Sequence, residues 1–232
     1  MLRILLLMPR SARFAPGGFV FHVLNRAVAR LALFEKTGDY EAFLRVMEEA
    51  WEKFPIRVLS YCLMPNHWHM VLWPRHDDEL TRFARWMTHT HVMRWHVHHR
   101  TVGTGHLYQG RFKSFPIETD EHLLTVLRYV ERNALRANLV KRADDWRWSS
   151  LWARKSGAEG DRKLLSAWPV EEPRQWVEYV NKAQTEAELH AVRLSVSRGS
   201  PFGSDKWVRK TAGKFGLEHT LRARGRPRKD GE

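Results

Sequence analysis

Cysteine is almost absent from this chain: Cys62 is the only one in 232 residues. One cysteine forms no intrachain disulfide and builds no cysteine-based zinc site, which fits a reducing cytoplasm. Long apolar runs are missing too. The N-terminal MLRILLLMPRSARF holds a run too short to span a bilayer, and no small-residue cleavage site follows it. It reads as an irregular lead, with Met8 as an alternative start. There is no internal repeat. Acidic residues are in short supply, 26 against 39 Lys and Arg, so the formal net charge is +13 and the sequence pI is about 10.3. Such an excess draws polyanions with salt-dependent strength, and nucleic acid is the leading partner. An anionic membrane surface would call for a long basic amphipathic helix, which the sequence does not supply. A hydrophobic content of 43% excludes disorder by composition and is enough for one well-buried domain.

What is present is a regular alternation of elements. Residues 17–25 (GGFVFHVLN) predict a strand after a Gly-Gly turn. Residues 39–53 predict a helix capped by Asp39, with Phe43, Val46, Met47 and Ala50 at helical spacing. Pro55 ends it. Residues 56–64 and 67–73 predict two strands joined by a tight turn at Pro65-Asn66. Residues 77–99 predict a basic helix capped at Asp77 or Asp78, followed by a Gly-rich loop at 103–110 and a strand at 111–118. Residues 120–134 predict a third helix with Leu123, Leu127, Val130 and Ala134 on its core face. The order β-α-β-β-α-β-α predicts an α+β, ferredoxin-like antiparallel sheet with the helices on one face. After Ser150 the composition turns basic and the periodicity short, with small helices at 173–182, 185–196 and 204–215. This predicts a boundary near residues 150–155, with the ferredoxin-like domain over 1–152 and a basic, mostly helical extension over 153–232.

Two constellations carry chemistry. His67-Trp68-His69 sits on a predicted strand, where residues i and i+2 share a face, so two imidazoles stand side by side and can grip one cation. The bland alternative is two histidines on a wet sheet face, in a chain with 13 of them. His89-Thr90-His91 and His96-Val97-His98 repeat the spacing on a helix, where i and i+2 diverge. Trp68 faces away from the pair, toward the core. Tyr129 and Asn133 lie four apart on the third helix, off its core face. They read as a surface pair or as a phenol nucleophile beside an amide oxygen that could ligate a metal.

PNHWHMVLWP, then Gln109-Gly110-Arg111-Phe112, RYVERNALRANLV and Trp146-Arg147-Trp148-Ser149-Ser150 occur in that order between residues 17 and 150. Together they resemble the REP-associated tyrosine transposases, a group of the HUH single-tyrosine transposases of bacterial insertion sequences. The family fold is ferredoxin-like. The resemblance implies that His67 and His69 bind Mg2+ or Mn2+, with Asn133 as third ligand, and that Tyr129 is the nucleophile. It implies nicking and joining of single-stranded, hairpin-forming repeats through a 5′-phosphotyrosine intermediate, in the bacterial cytoplasm at the nucleoid. Whether the site is completed in one chain or across a homodimer stays open. Related sequences often carry Pro where this chain has Ala134, which removes no catalytic group.

Basic residues supply candidate DNA contacts: Arg111 and Lys113, then Arg128, Arg132 and Arg136 along the third helix, and Arg224 and Arg226 in an AT-hook-like tail. Trp86 and Trp95 read as core residues before they read as base-stacking platforms. Three rivals remain: a repeat-DNA-binding protein without chemistry, a ferredoxin-like RNA binder, and a metallonuclease that uses water in place of Tyr129.

Overall fold

The structure is a computed structural model that describes residues 15–222. Its centre is a four-stranded antiparallel sheet of β1 (Val20–Arg26), β2 (Arg57–Met64), β3 (His67–Trp73) and β4 (Lys113–Ile117), in the order β2-β3-β1-β4. Helix α1 (Thr37–Lys53) joins β1 to β2, and α2 (Glu79–His99) joins β3 to β4. After β4 come α3 (Glu121–Glu131) and the short α4 (Asn133–Arg136). This is the expected ferredoxin-like topology.

Local chemistry explains the chain's turns. A Cβ on Gly17 would stand 2.3 Å from the Arg75 carbonyl oxygen, and Gly18 has φ +82°, so both positions of the first turn call for glycine. Helix α1 starts two residues before the expected Asp39. That carboxylate instead reaches back from the first turn to accept from the backbone N–H of Glu35 and Lys36. Helix α2 starts after Asp78, whose side chain caps nothing, while Asp77 accepts from Gly17 N–H at 2.8 Å.

One expectation is corrected: helices cover both faces of the sheet. On one face, Phe21, Leu63, Trp68, Met70 and Leu72 pack with Phe43 and Met47 of α1 and Phe83 and Met87 of α2. On the other, Leu59, Cys62, Val71, Phe115 and Ile117 pack with Leu123, Leu127 and Val130 of α3. The reason is visible in β2: all of Val58 to Met64 is buried, a run typical of a strand covered twice.

The later helices are α5 (Ser150–Ser156), α6 (Glu159–Arg162), α7 (Trp176–Asn181), α8 (Glu186–Arg198) and α9 (Asp205–Phe215). Trp176, Val180, Leu189 and Val192 of α7 and α8 enter the second core. Beyond α8 the chain runs beside β4, where Phe202 N–H donates to Pro116 O and Glu118 N–H to Phe202 O. That covers an edge strand otherwise open to pairing. Among the described residues, no helix is long and apolar enough to cross a membrane.

Candidate active site on the sheet face beneath α3

His67 and His69 alternate with Trp68 along β3, so both imidazoles face α3 while Trp68, fully buried, points to the opposite core and donates from Nε1 to Tyr108 Oη. The two rings lie 5.0 Å apart, nearly perpendicular. The His67 Nδ1 is 2.6 Å from Asn66 Oδ1. A carboxamide oxygen only accepts, so Nδ1 carries the proton and Nε2 keeps its lone pair. The His69 Nδ1 is 2.8 Å from Nε2 of His22, a residue of β1. Burial pushes His67 down to about 3, helped by Arg26 and Arg136. Burial, then His22 and His67, holds His69 well below its ordinary value. Both imidazoles are therefore neutral at physiological pH, the form a metal ion binds.

Tyr129 meets this pair from above. Its ring centroid is 5.9 Å from that of His69 and 6.2 Å from that of His22. The sequence places Tyr129 off the core face of α3 and partly exposed. The structure buries it, with the rings of His69 and His22 on the sheet side and the Arg136 guanidinium against its ring. Asn133 follows on the same helical face, across a break at Arg132. Arg136 ties the two together: its guanidinium lies 4.2 Å from the Tyr129 ring, donates to Asn133 Oδ1 at 2.9 Å and to the Tyr129 carbonyl, and reaches Gln184 Oε1. Asn133 Nδ2 is buried with no partner. Two neutral imidazoles side by side suit a divalent cation, while the Asn133 carboxamide oxygen is held by Arg136.

The remaining expected residues divide. Arg111 and Lys113 are exposed, and Lys113 lies on the His22 side of the sheet, across from Leu24 of β1. Arg128 and Arg132, expected to face DNA, are spent inside the molecule. Arg128 is 4% exposed and donates to the carbonyls of Lys182 and Ala183, with Glu188 at 3.5 Å. Arg132 donates to the carbonyls of Val180 and Asn181. They are needed there because α7 ends just above α3 and leaves carbonyls to satisfy. Arg224 and Arg226 lie outside the described residues. Trp95 donates to Leu33 O and packs with Trp86 against the first core. Of the helical histidines, His91 is buried against Tyr108 Oη and half-buried His96 pairs with Thr101 Oγ1, away from the pair on β3.

The sequence reading missed His22 and Arg26. Each carried a signal: both are polar residues on the Leu24 face of strand Val20–Arg26, and His22 interrupts the apolar run from Val20 to Leu24. Arg26 stands directly across from His67 in the β1–β3 ladder.

The family described as IS200-like transposase matches residues 18–133, half of the chain. A Haemophilus influenzae protein carrying the name REP-associated tyrosine transposase is 22% identical over 152 residues, covering 60% of this chain and 82% of its own length. A solved REP-associated tyrosine transposase bound to a REP hairpin aligns with TM-score 0.48 and 19% identity, over 72% of this chain and 94% of that one. The matched span runs from the turn before β1 to Asn133 and so takes in both strand histidines and Tyr129, and the chain belongs to the IS200-like transposase family.

Proposed function

We propose that this chain nicks and rejoins single-stranded DNA by tyrosine transesterification, and that hairpin-forming repeats are its substrates. The observation that carries the proposal is the burial of Tyr129 against His69, 5.9 Å from ring to ring, with His67 beside His69 on the same face of β3. A surface tyrosine with two wet histidines would show no such burial. The name of the Haemophilus influenzae relative supports repeats as the substrate.

In this reading His67 and His69, through Nε2, and Asn133, through its carboxamide oxygen, hold Mg2+ or Mn2+. Bound there, the ion would supply a Lewis acid for the scissile phosphate and a template for its orientation. Tyr129 Oη attacks phosphorus in line. The Oη–P bond forms as the P–O3′ bond breaks, the phenol gives up its proton and the departing 3′-oxygen gains one. A 5′-phosphotyrosine and a free 3′-OH result. A 3′-OH from the same or another strand reverses the step, and the retained ester needs no nucleotide cofactor. Arg136 positions the Tyr129 ring and Asn133. Arg26, Arg111 and Lys113 are assigned to the DNA backbone. Residues 1–152 are assigned the chemistry, and 153–232 the clamping of α3 and, through Arg224 and Arg226, further DNA contact.

The test uses labelled single-stranded hairpin oligonucleotides from repeats flanking the gene, with Mn2+, Mg2+ or chelator. A metal-dependent covalent protein–DNA band that is lost in His67→Ala supports the proposal. Cleavage without an adduct would replace it with a water-using nuclease. Tight binding with neither product would make the chain a repeat-binding module.

A further inference from the structure

His22 is fully buried in the middle of β1, on the same sheet face as His67 and His69. The ladder pairs it with Val71, so His69 is its diagonal neighbour two residues away. Its ring lies nearly parallel to that of His69, 10° between planes, and Nε2 is 2.8 Å from His69 Nδ1. Phe115 of β4 closes one side and Tyr129 another. Its Nδ1 is buried and makes no hydrogen bond.

That arrangement is costly for a residue whose only task is packing. The rest of the strand from Val20 to Leu24 is apolar, and an apolar side chain would fill the position without leaving an imidazole nitrogen unpartnered. His22 makes one hydrogen bond, and it goes to a histidine whose other nitrogen is free. Nor can His22 itself take a cation, since its Nε2 is engaged and its Nδ1 is shut in by the sheet.

We infer that His22 is a positioning residue for the cation site: its Nε2 accepts from His69 Nδ1–H, which fixes the tautomer and ring plane of His69 and leaves His69 Nε2 to coordinate. Asn66 does the same for His67, at 2.6 Å. Each ligand is thus held from behind by its own acceptor, one from the β2–β3 turn and one from β1. The unpartnered Nδ1 of His22 follows from this geometry, because a His22 that accepts through Nε2 carries its proton on Nδ1. The inference rests on the assignment of His67 and His69 as ligands.

The experiment measures Mn2+ affinity by electron paramagnetic resonance of the free ion, with the full chain without DNA. Four proteins are compared: wild type, His22→Phe, His22→Gln, and His67→Ala/His69→Ala. Thermal unfolding in chelator checks that each is folded. The expected result is a wild-type site that the double variant lacks, an affinity weakened about 10- to 100-fold in His22→Phe, and most of it regained in His22→Gln, whose amide oxygen can accept from Nδ1–H. Equal affinity in wild type and His22→Phe would overturn the inference and leave the ligand assignment standing. So would a His22→Gln as weak as His22→Phe. Wild type without a site, or a site that survives in the double variant, would overturn the ligand assignment itself. If His22→Phe fails to fold, 15N spectra of histidine-labelled, Mg2+-loaded wild type decide. A proton on His69 Nδ1 is expected, and a proton on His69 Nε2 would overturn the inference.

Discussion

Asp144 illustrates how single residues hold the frame beneath the chemistry. It is almost fully buried and is met by the Lys155 ammonium, the Asn181 amide and Arg142. Burial alone would raise its carboxyl, but Lys155 and Asn181 hold it down at about 2, from an ordinary 3.8. A carboxyl depressed in the folded state stabilises fully above its unfolded value and loses that contribution as pH falls through its folded value. The difference of nearly two units corresponds to about 2 kcal/mol. Asp144→Asn is therefore expected to lower stability by about that amount at pH 7, with the gap closing between about pH 4 and pH 2; urea melts across that range measure it. At this same scale the candidate site was half legible. Strand and helix spacing put His67 with His69, and Tyr129 with Asn133, on shared faces, and the family resemblance singled them out as a site. His22 was not, because its role depends on which strand lies beside β3, and pairing order is not written in local spacing.

Helix α3 is the element on which the account turns, since it carries Tyr129 and leads to Asn133 and Arg136. Its core face, Leu123, Leu127 and Val130, followed from 3.6-residue periodicity and is fully buried, as is Ala134 beyond the break, in α4. Its outer face reads as a basic, solvated stripe, yet Arg128 and Arg132 are drawn inward by carbonyls at the end of α7. Nothing within the helix could reveal that, because the partners lie some 50 residues downstream. The consequence is measurable. Arg128→Ala should destabilise the protein by about 2–3 kcal/mol, by stranding those carbonyls and Glu188, while the salt dependence of DNA binding keeps its slope. Lys113→Ala should do the reverse, sparing stability and reducing the slope by about one. Titrations at several salt concentrations alongside denaturant melts separate the two patterns. A flattened slope in Arg128→Ala would return that residue to the DNA interface.

For the molecule as a whole, the order of strands and helices in the ferredoxin-like half could be read from sequence because each element is a contiguous pattern bounded by Pro, Gly or Asp. What could not be read is that the region after Ser150 completes the second core. Its helices are short and irregular, so their apolar residues show no long period. Trp176 donates to buried Glu131 of α3, and Arg154 donates to Leu59 O of β2. A fragment ending at residue 152 should therefore expose the α3 side of the sheet. It is expected to melt well below the full chain or to aggregate, as scanning calorimetry and light scattering would show. A fragment that melts like the intact protein would assign residues 153–232 to an independent unit.

The most direct test of the central claim is to find the DNA on the protein. After reaction with a hairpin oligonucleotide and Mn2+, the denatured adduct would be digested with nuclease and protease and its nucleotide-bearing peptide identified by mass spectrometry. One modified peptide is expected, with the nucleotide on Tyr129, and no adduct from Tyr129→Phe. A nucleotide on another residue, or an adduct that survives in Tyr129→Phe, would contradict the claim.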